Sequence, residues 1–466
     1  MEDTDGYIEN RTFDEIGIGA TASLTRKLTR HDIELFAAMS GDVNPAMVDP
    51  EYASSDMFHK IIAHGMWGGA LISTVLGTEL PGPGTIYLDQ SLAFRAPVSP
   101  GDTVTVTVTA REKDEKNHHV RFDCTCTNQD GKVVIDGSAL VIAPTEKIRR
   151  KRVELPEVRL EERGDKFRRM TAMAEKLEPI RTAVVHPVDA NSLGGAVAAA
   201  KANLIIPVLI GPEHKIRAAA EEAGIDIEPY QLVPTEHSDA AAARAVAMAR
   251  KGEVGALMKG SLHTDEFLHP VVQGETGLRT ERRMSHVFVL DIPTFDRPLF
   301  VTDGAINIYP DLATKKDIVQ NAIDLALALD IKQPRVAVLS AVEVVEPKIR
   351  STVEAAAICK MANRNQITGG IVDGPLAFDN AISTEAARAK GIESAVAGRS
   401  DILVAPDLEA GNMLAKQLEY LADAEAAGIV VGARLPIMLT SRADSVQSRQ
   451  ATCAVAALMH RHRRRQ

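Results

Sequence analysis

PIMLTSRADSVQSRQ, residues 436–450, reads as a short apolar strand that breaks into a polar turn and then a helix. Ile437–Leu439 is the strand, and Thr440, Ser441 and Arg442 stand where it ends. In an open α/β sheet, ligands collect beyond the carboxyl ends of strands, often at a helix N-terminus. A hydroxyl beside a guanidinium there suits an anion such as phosphate, because the guanidinium presents a fork of donors matched to phosphate oxygens. The same residues also suit a capped helix start with one surface arginine. What surrounds the stretch decides between the two.

Upstream of it, from Arg181, apolar strand-like runs alternate with Ala-rich helices. RTAVVH, LIIPVLIG, EVGALMKG, SHVFVLDIP, PLFVTDGA, RVAVLSAV, GGIVDGP, DILVAPD, AAGIVVG and PIMLT are the strands. NSLGGAVAAAKAN, SDAAAARAVAMARKG, KKDIVQNAIDLALALD and TVEAAAICKMANR are the intervening helices. This is a doubly wound α/β pattern. So many strands imply two sheets with a cleft between them, the last strand and helix returning to the first sheet. Two nucleotide motifs fail. In Met258-Lys259-Gly260-Ser261 the Lys precedes the Gly, and Asn191–Gly195 lacks the spacing of a dinucleotide loop. Gly194 and Gly195 are read as letting their helix approach its strand.

The first part is built differently. Thr29-x-x-Asp32 before IELFAAMS is a capped amphipathic helix, ending at Ser40-Gly41. A polar loop, Asp42-Val43-Asn44-Pro45, follows, and His64-Gly65-Met66 opens a long apolar helix with small residues at Gly68 and Gly69. After Pro81–Gly84 the period changes to two: TIYLDQSLAF, TVTVTVTA, HVRFDCTCTN and KVVIDGSALVI alternate as antiparallel strands. A sheet wrapped around one apolar helix is the α+β hot-dog fold. Residues 143–170, densely charged, read as a solvated connector leading into a helix.

At 466 residues, two or three domains are expected. A net charge of −10 argues against a nucleic-acid partner, and the basic end, Arg461–Arg465, fits the C-terminus of a last helix. Four cysteines at no zinc spacing read as free thiols of a reducing cytosol. The N-terminus has no apolar h-region, and no apolar run reaches the length of a membrane span. The expectation is a cytoplasmic protein without membrane or metal partners.

SGDVNP at 40–45 with AHGM at 63–66 resembles the MaoC-like, R-specific enoyl-CoA hydratases, over most of residues 11–143. The resemblance implies that Asp42 is the general acid/base and that the N–H of Gly65 polarises the thioester carbonyl, with Asn44 and His64 beside the substrate. The family's catalytic His falls at Met47, which cannot carry a proton. One acid/base group is worth on the order of 10²–10⁴ in rate. The module is therefore impaired, rescued by His64 or His59, or kept for acyl-CoA binding or assembly.

The second part resembles the phosphate acetyltransferase/butyryltransferase family over nearly its whole length. The matching stretches are MKGSLHTDEFL at 258–268, RRMSHVFVLD at 282–291, VTDGAINIYPD at 301–311, DGPLAFDNA at 373–381, APDLEAGNMLAKQL at 405–418 and TSRADS at 440–445. The resemblance implies acyl-CoA + phosphate ⇌ acyl phosphate + CoA, with CoA and acyl-CoA as substrates and no resident cofactor or metal. Ser441 then hydrogen-bonds the thiol, Arg442 binds phosphate and Asp444 is the base, since Ser448 occupies the acetyl-type Asp position. His269 stands where the acetyl enzymes have an Arg, and Arg279 or Arg283 are the replacements, or else surface cations. Asp303, Asn307 and Asn412 are expected in the cleft or as loop braces, and Asp373 and Asp407 there or as helix caps.

The full expectation is a hot-dog domain (1–145), a charged linker (146–170) and an isocitrate-dehydrogenase-like two-subdomain phosphotransacylase (171–466). Its subdomains are 171–292 plus 437–466, and 293–436. The rival readings are a transferase whose first part only binds or oligomerises, and a dehydrogenase, for which neither a dinucleotide site nor a metal-binding Asp cluster is visible. The resemblance also implies a homo-oligomer.

Overall fold

The computed structural model describes residues 6–153, 158, 160, 164–440 and 444–464. Contacts divide the chain into two compact units, Met1–Leu160 and Glu161–Gln466.

In the first unit, Thr29 caps the helix Arg30–Ser40: its Oγ1 accepts the Asp32 N–H at 3.1 Å while its own N–H donates to Asp32 Oδ2 at 2.8 Å. Gly41, at φ 75°, supplies the left-handed turn that ends it. The helix Gly65–Thr78 follows, burying Trp67, Leu71, Ile72, Val75 and Leu76. A five-stranded antiparallel sheet covers it in the order Thr21–Lys27, Thr103–Asp114, His119–Thr127, Val133–Ile142, Ile86–Phe94. Val104, Val106, Val108, Phe122, Cys124 and Cys126 alternate onto the helix side and join its core. Each large side chain buried there stabilises by about 1.5–3 kcal/mol. Gly68 leaves room for the tip of the Ile135 side chain, which a Cβ would overlap. This is the hot-dog arrangement.

The start of the expected linker is not a connector. Arg149–Lys151 pairs antiparallel with Tyr7–Glu9. The Arg149 guanidinium lies 4.7 Å from the Tyr7 ring centroid, and Lys147 bridges Glu9 and Glu15. Charge density masked this strand because both sides of the pair are solvated and neither carries an apolar period.

The second unit corrects the two-sheet expectation. Its strands form one continuous eleven-stranded sheet: Gln231–Pro234, Ile205–Gly211, Ile180–Val185, Ala256–Lys259, Ile437–Met438, Glu425–Val431, Ser285–Asp291, Leu299–Thr302, Ile402–Val404, Arg335–Leu339, Ile371–Leu376. The first five run parallel. Glu425–Val431 then pairs antiparallel with both Ile437–Met438 and Ser285–Asp291. The last four strands run parallel to one another, opposite to the first five. The two halves are therefore joined by ladder hydrogen bonds at a point where strand direction reverses. The helix Val446–Arg463 is buried from Ser448 to Met459 apart from Gln450, against the helices Asp165–Ala174 and Ala190–Lys201 and the strand Glu425–Val431.

Candidate functional site

At the reversal point a cavity of about 360 Å³ opens over the sheet. Lys259 and Thr440 border it at adjoining strand ends, Asp444 at the approach to the long helix, and His286, Phe288, Ala426, Gly428 and Leu439 along its floor. Gly428 is obligatory: a Cβ would meet the Leu439 carbonyl oxygen at 2.6 Å. Gly304 leaves room for the Phe288 ring, which a Cβ would approach to 2.7 Å.

Ser441 and Arg442 lie outside the described residues; the residues on both sides of them are well held. Thr440 is 2% exposed and donates through Oγ1 to the Lys259 carbonyl at 3.0 Å. Lys259, itself 4% exposed, donates through Nζ to the Thr440 carbonyl at 3.3 Å. Arg449 Nη1 donates to Thr440 Oγ1 at 2.9 Å. Burial pushes the Arg449 pKa down, and the carboxylates of Asp444 and Asp189 work against that loss. The room for this guanidinium comes from Gly195, where a Cβ would overlap Arg449 Cδ and lie 3.1 Å from its Cβ. Gly195 thus serves an arginine rather than a strand. On the other side, Ser445 caps the long helix by accepting the Ser448 N–H at 3.1 Å.

Lys259 and Arg449 were not among the residues expected at the site. The signal for Lys259 was its place directly after an apolar strand. Arg449 had only the oddity of a charge inside an Ala-rich helix.

Asp303 is 3% exposed and accepts from the N–H groups of Ala305, Ile306 and Asn307 at 2.9, 3.1 and 3.1 Å and from Asn307 Nδ2 at 2.6 Å. Burial raises its pKa against the pull of those donors. Asn307 also donates to the Met284 carbonyl at 2.9 Å, and Asn412, which borders the cavity, to the Gly304 carbonyl at 3.0 Å. These three side chains brace the 303–307 loop. Asp407 caps its helix by accepting the Ala410 N–H at 2.8 Å. Asp373 accepts from Gly374 N–H and from the Ser394 hydroxyl, so it ties a loop rather than a helix. His269 is exposed and bonds Gln273. Arg279 and Arg283 are also exposed, and none of these three borders the cavity. Among the described residues, no group of three or more His, Cys, Asp or Glu is placed to hold a metal ion.

The first unit has its own cavity, about 340 Å³, lined mainly by apolar side chains. Met47, His64, Gly65, Trp67, Phe94 and Ile135 are among its walls. Gly65 is the first residue of its helix, so its N–H has no partner within that helix. His64, 2% exposed, donates from Nε2 to the Asp42 carbonyl at 2.9 Å, while its Nδ1 is buried without a partner. His64 therefore fixes the loop through its backbone and does not touch the Asp42 carboxylate. That carboxylate is exposed, accepts the Asn44 N–H at 3.2 Å and is absent from the cavity wall. Asn44 spends its own side chain capping the Pro45–Val48 helix. His59, exposed, bonds the Ser54 carbonyl and also stays outside the wall.

Comparison with known proteins finds a separate match in each unit. The family model described as phosphate acetyl/butaryl transferase matches residues 236–457, and that of the MaoC like domain matches residues 13–129. The phosphate acetyltransferase of Rhizobium meliloti is 60% identical over 299 residues, 64% of this chain and 95% of the relative. The phosphate butyryltransferase of Clostridium acetobutylicum is 41% identical over 293 residues, 63% of this chain and 97% of the relative. A branched-chain phosphotransacylase from Enterococcus faecalis matches 60% of this chain and 99% of its own, at 30% identity and a TM-score of 0.53. With a strand-reversal cavity, this identity and almost the whole of its relatives' length covered, the chain belongs to the phosphate acetyl/butyryltransferase family and carries a MaoC-like hot-dog domain ahead of the transferase.

Proposed function

We propose that the second unit moves a short acyl group between CoA and phosphate, acyl-CoA + phosphate ⇌ acyl phosphate + CoA. The observation that carries this reading is the lock of Lys259, Thr440 and Arg449 immediately before Ser441 and Arg442, with Asp444 also bordering the cavity. Reaction toward acyl-CoA needs a deprotonated thiol, a held phosphate and a stabilised carbonyl oxygen. Asp444 takes the thiol proton, Ser441 orients the sulfur, and the sulfur attacks the acyl carbonyl. The carbon–oxygen bond to phosphate then breaks, and phosphate leaves with both electrons toward Arg442 and Lys259. The test is thiol release from acetyl-, propionyl- and butyryl-CoA with and without phosphate. Phosphate-dependent release, unchanged by EDTA, is expected; no release from any of the three overturns the reading.

For the first unit, the proposal is acyl-CoA binding with slow enoyl-CoA hydration. Gly65 supplies an N–H at the cavity wall, but Met47 occupies the wall where the second acid/base group is needed, and Asp42 stands away from it. Coenzyme A is a substrate of both units in this reading and no group is held permanently. The free cysteines fit a cytoplasmic setting. Self-association is supported by the edge strand Ile86–Phe94, which leaves Ile86, Leu88 and Phe94 about half exposed. Sedimentation at micromolar concentration distinguishes a dimer or larger from a monomer.

A further inference from the structure

His286 stands in the floor of the transferase cavity, on the strand Ser285–Asp291. It is 1% exposed, yet its Nδ1 has no hydrogen-bond partner. Buried polar atoms are paired in the great majority of cases, and an unpaired one asks for a cause. An apolar residue would fill this position without that cost. The ring is held by packing instead: it meets Phe288 edge-on, centroids 4.4 Å apart at 77°, and its Nε2 lies where a Cβ on Gly428 would come within 3.0 Å. Three other polar side chains around the cavity have protein partners. Asn412 donates to Gly304, Lys416 pairs with Glu419 at 2.6 Å and Thr440 donates to Lys259. A half-turn about the Cβ–Cγ bond exchanges Nδ1 with Cδ2, so either edge of the ring is able to present the nitrogen. Burial, helped by the Lys416 charge, brings the imidazole pKa down to about 3, so the ring is neutral near pH 7.

The substrates of the reaction proposed above offer mainly acceptors: a carbonyl oxygen and phosphate oxygens. Phosphate is drawn to the cations at the strand ends. The carbonyl oxygen, which gains negative charge as sulfur or phosphate adds, is left for the floor. We propose that His286 contacts the substrate and donates a hydrogen bond from its neutral imidazole to the acyl carbonyl oxygen, an inference that rests on the transferase reading. A fixed neutral donor strengthens its bond as the oxyanion forms and does not compete with Arg442 for phosphate.

The experiment compares steady-state kinetics in acyl-CoA and in phosphate, together with thermal unfolding, for the unmodified chain, His286→Phe and His286→Gln. His286→Phe should lower kcat by about 10²-fold, the scale of one lost oxyanion donor. It should leave the phosphate KM within about twofold and the melting temperature unchanged or raised, since a buried unpaired atom is removed. His286→Gln keeps an N–H donor and should retain activity within about tenfold of the unmodified chain, well above His286→Phe. If His286→Phe does not fold, His286→Leu takes its place in the same comparison. Equal loss in the Phe and Gln variants, an unchanged rate in His286→Phe, or a loss confined to the phosphate KM each overturns the assignment while leaving the transferase standing. Absence of phosphate-dependent turnover in the unmodified chain overturns both.

Discussion

At the scale of single residues, two substitutions test the two units separately. Met47 lines the apolar cavity of the first unit beside His64 and Gly65. A histidine there would return a proton carrier to the wall, and Met47→His should raise crotonyl-CoA hydration by about 10²-fold or more. Loss of the enoyl absorbance measures it, and Asp42→Ala should cancel the gain. No gain from Met47→His would leave this unit a binding module. In the second unit, Lys259→Met removes a buried cation at the cavity border. A charge-assisted contact to phosphate should cost roughly 10- to 100-fold in kcat/KM for phosphate when lost. A phosphate dependence unchanged in Lys259→Met would confine Lys259 to its bond with Thr440. The family resemblance implied roles for Asp42, Gly65 and Asp444. The sequence did not point to Lys259, because strand-end lysines are ordinary until a partner strand brings a threonine carbonyl to 3.3 Å.

At the scale of elements, the helix Ala190–Lys201 and the helix Val446–Arg463 meet through Gly195 and Arg449. Glycine inside a helix ordinarily costs about 1 kcal/mol relative to alanine. Gly195→Ala should nevertheless destabilise, by about 1–3 kcal/mol in urea unfolding, because the added methyl meets an arginine packed in the core. It should also slow acyl transfer, since Arg449 holds Thr440. A stabilised Gly195→Ala protein would show that Arg449 yields without consequence. Most elements were legible: the Thr29 cap, the period-two strands after Gly84 and the alternating strands and helices after Arg181. Thr21–Lys27 was not, because as an edge strand it has no fully buried face. Gln231–Pro234 is likewise a short edge strand and carries no clear period.

At the scale of the whole molecule, stability should fall in mild acid. His286 is neutral and buried, and burial brings its pKa down to about 3 from the ordinary histidine value of 6.5. Below about pH 6.5 the unfolded chain gains a proton there that the folded chain refuses. This contribution is complete above that pH and is lost as pH falls toward about 3, at about 1.4 kcal/mol per pH unit. Burial lowers the pKa of His460 as well, in the same sense, while Asp303, raised by burial, acts in the opposite one. The difference between the unmodified chain and His286→Phe isolates one group. The second unit's unfolding transition, followed from pH 7 to 5, should shift less in the variant. Equal acid sensitivity would mean that His286 is protonated in the folded state.

The sequence by itself determined the two architectures and their order, because hydrophobic period is a local property that survives in a string of letters, and its motifs carried the family resemblances that implied the chemistry class. It also located the break between strand and helix at Thr440. Only the tertiary structure decided that the second unit is one sheet rather than two, since the pairing of Glu425–Val431 with Ser285–Asp291 joins strands more than a hundred residues apart. The same holds for the site's supports. Lys259, Gly195 and Arg449 come from three elements and Thr440 from the turn after a fourth, and nothing in their own neighbourhoods records that folding places them in contact.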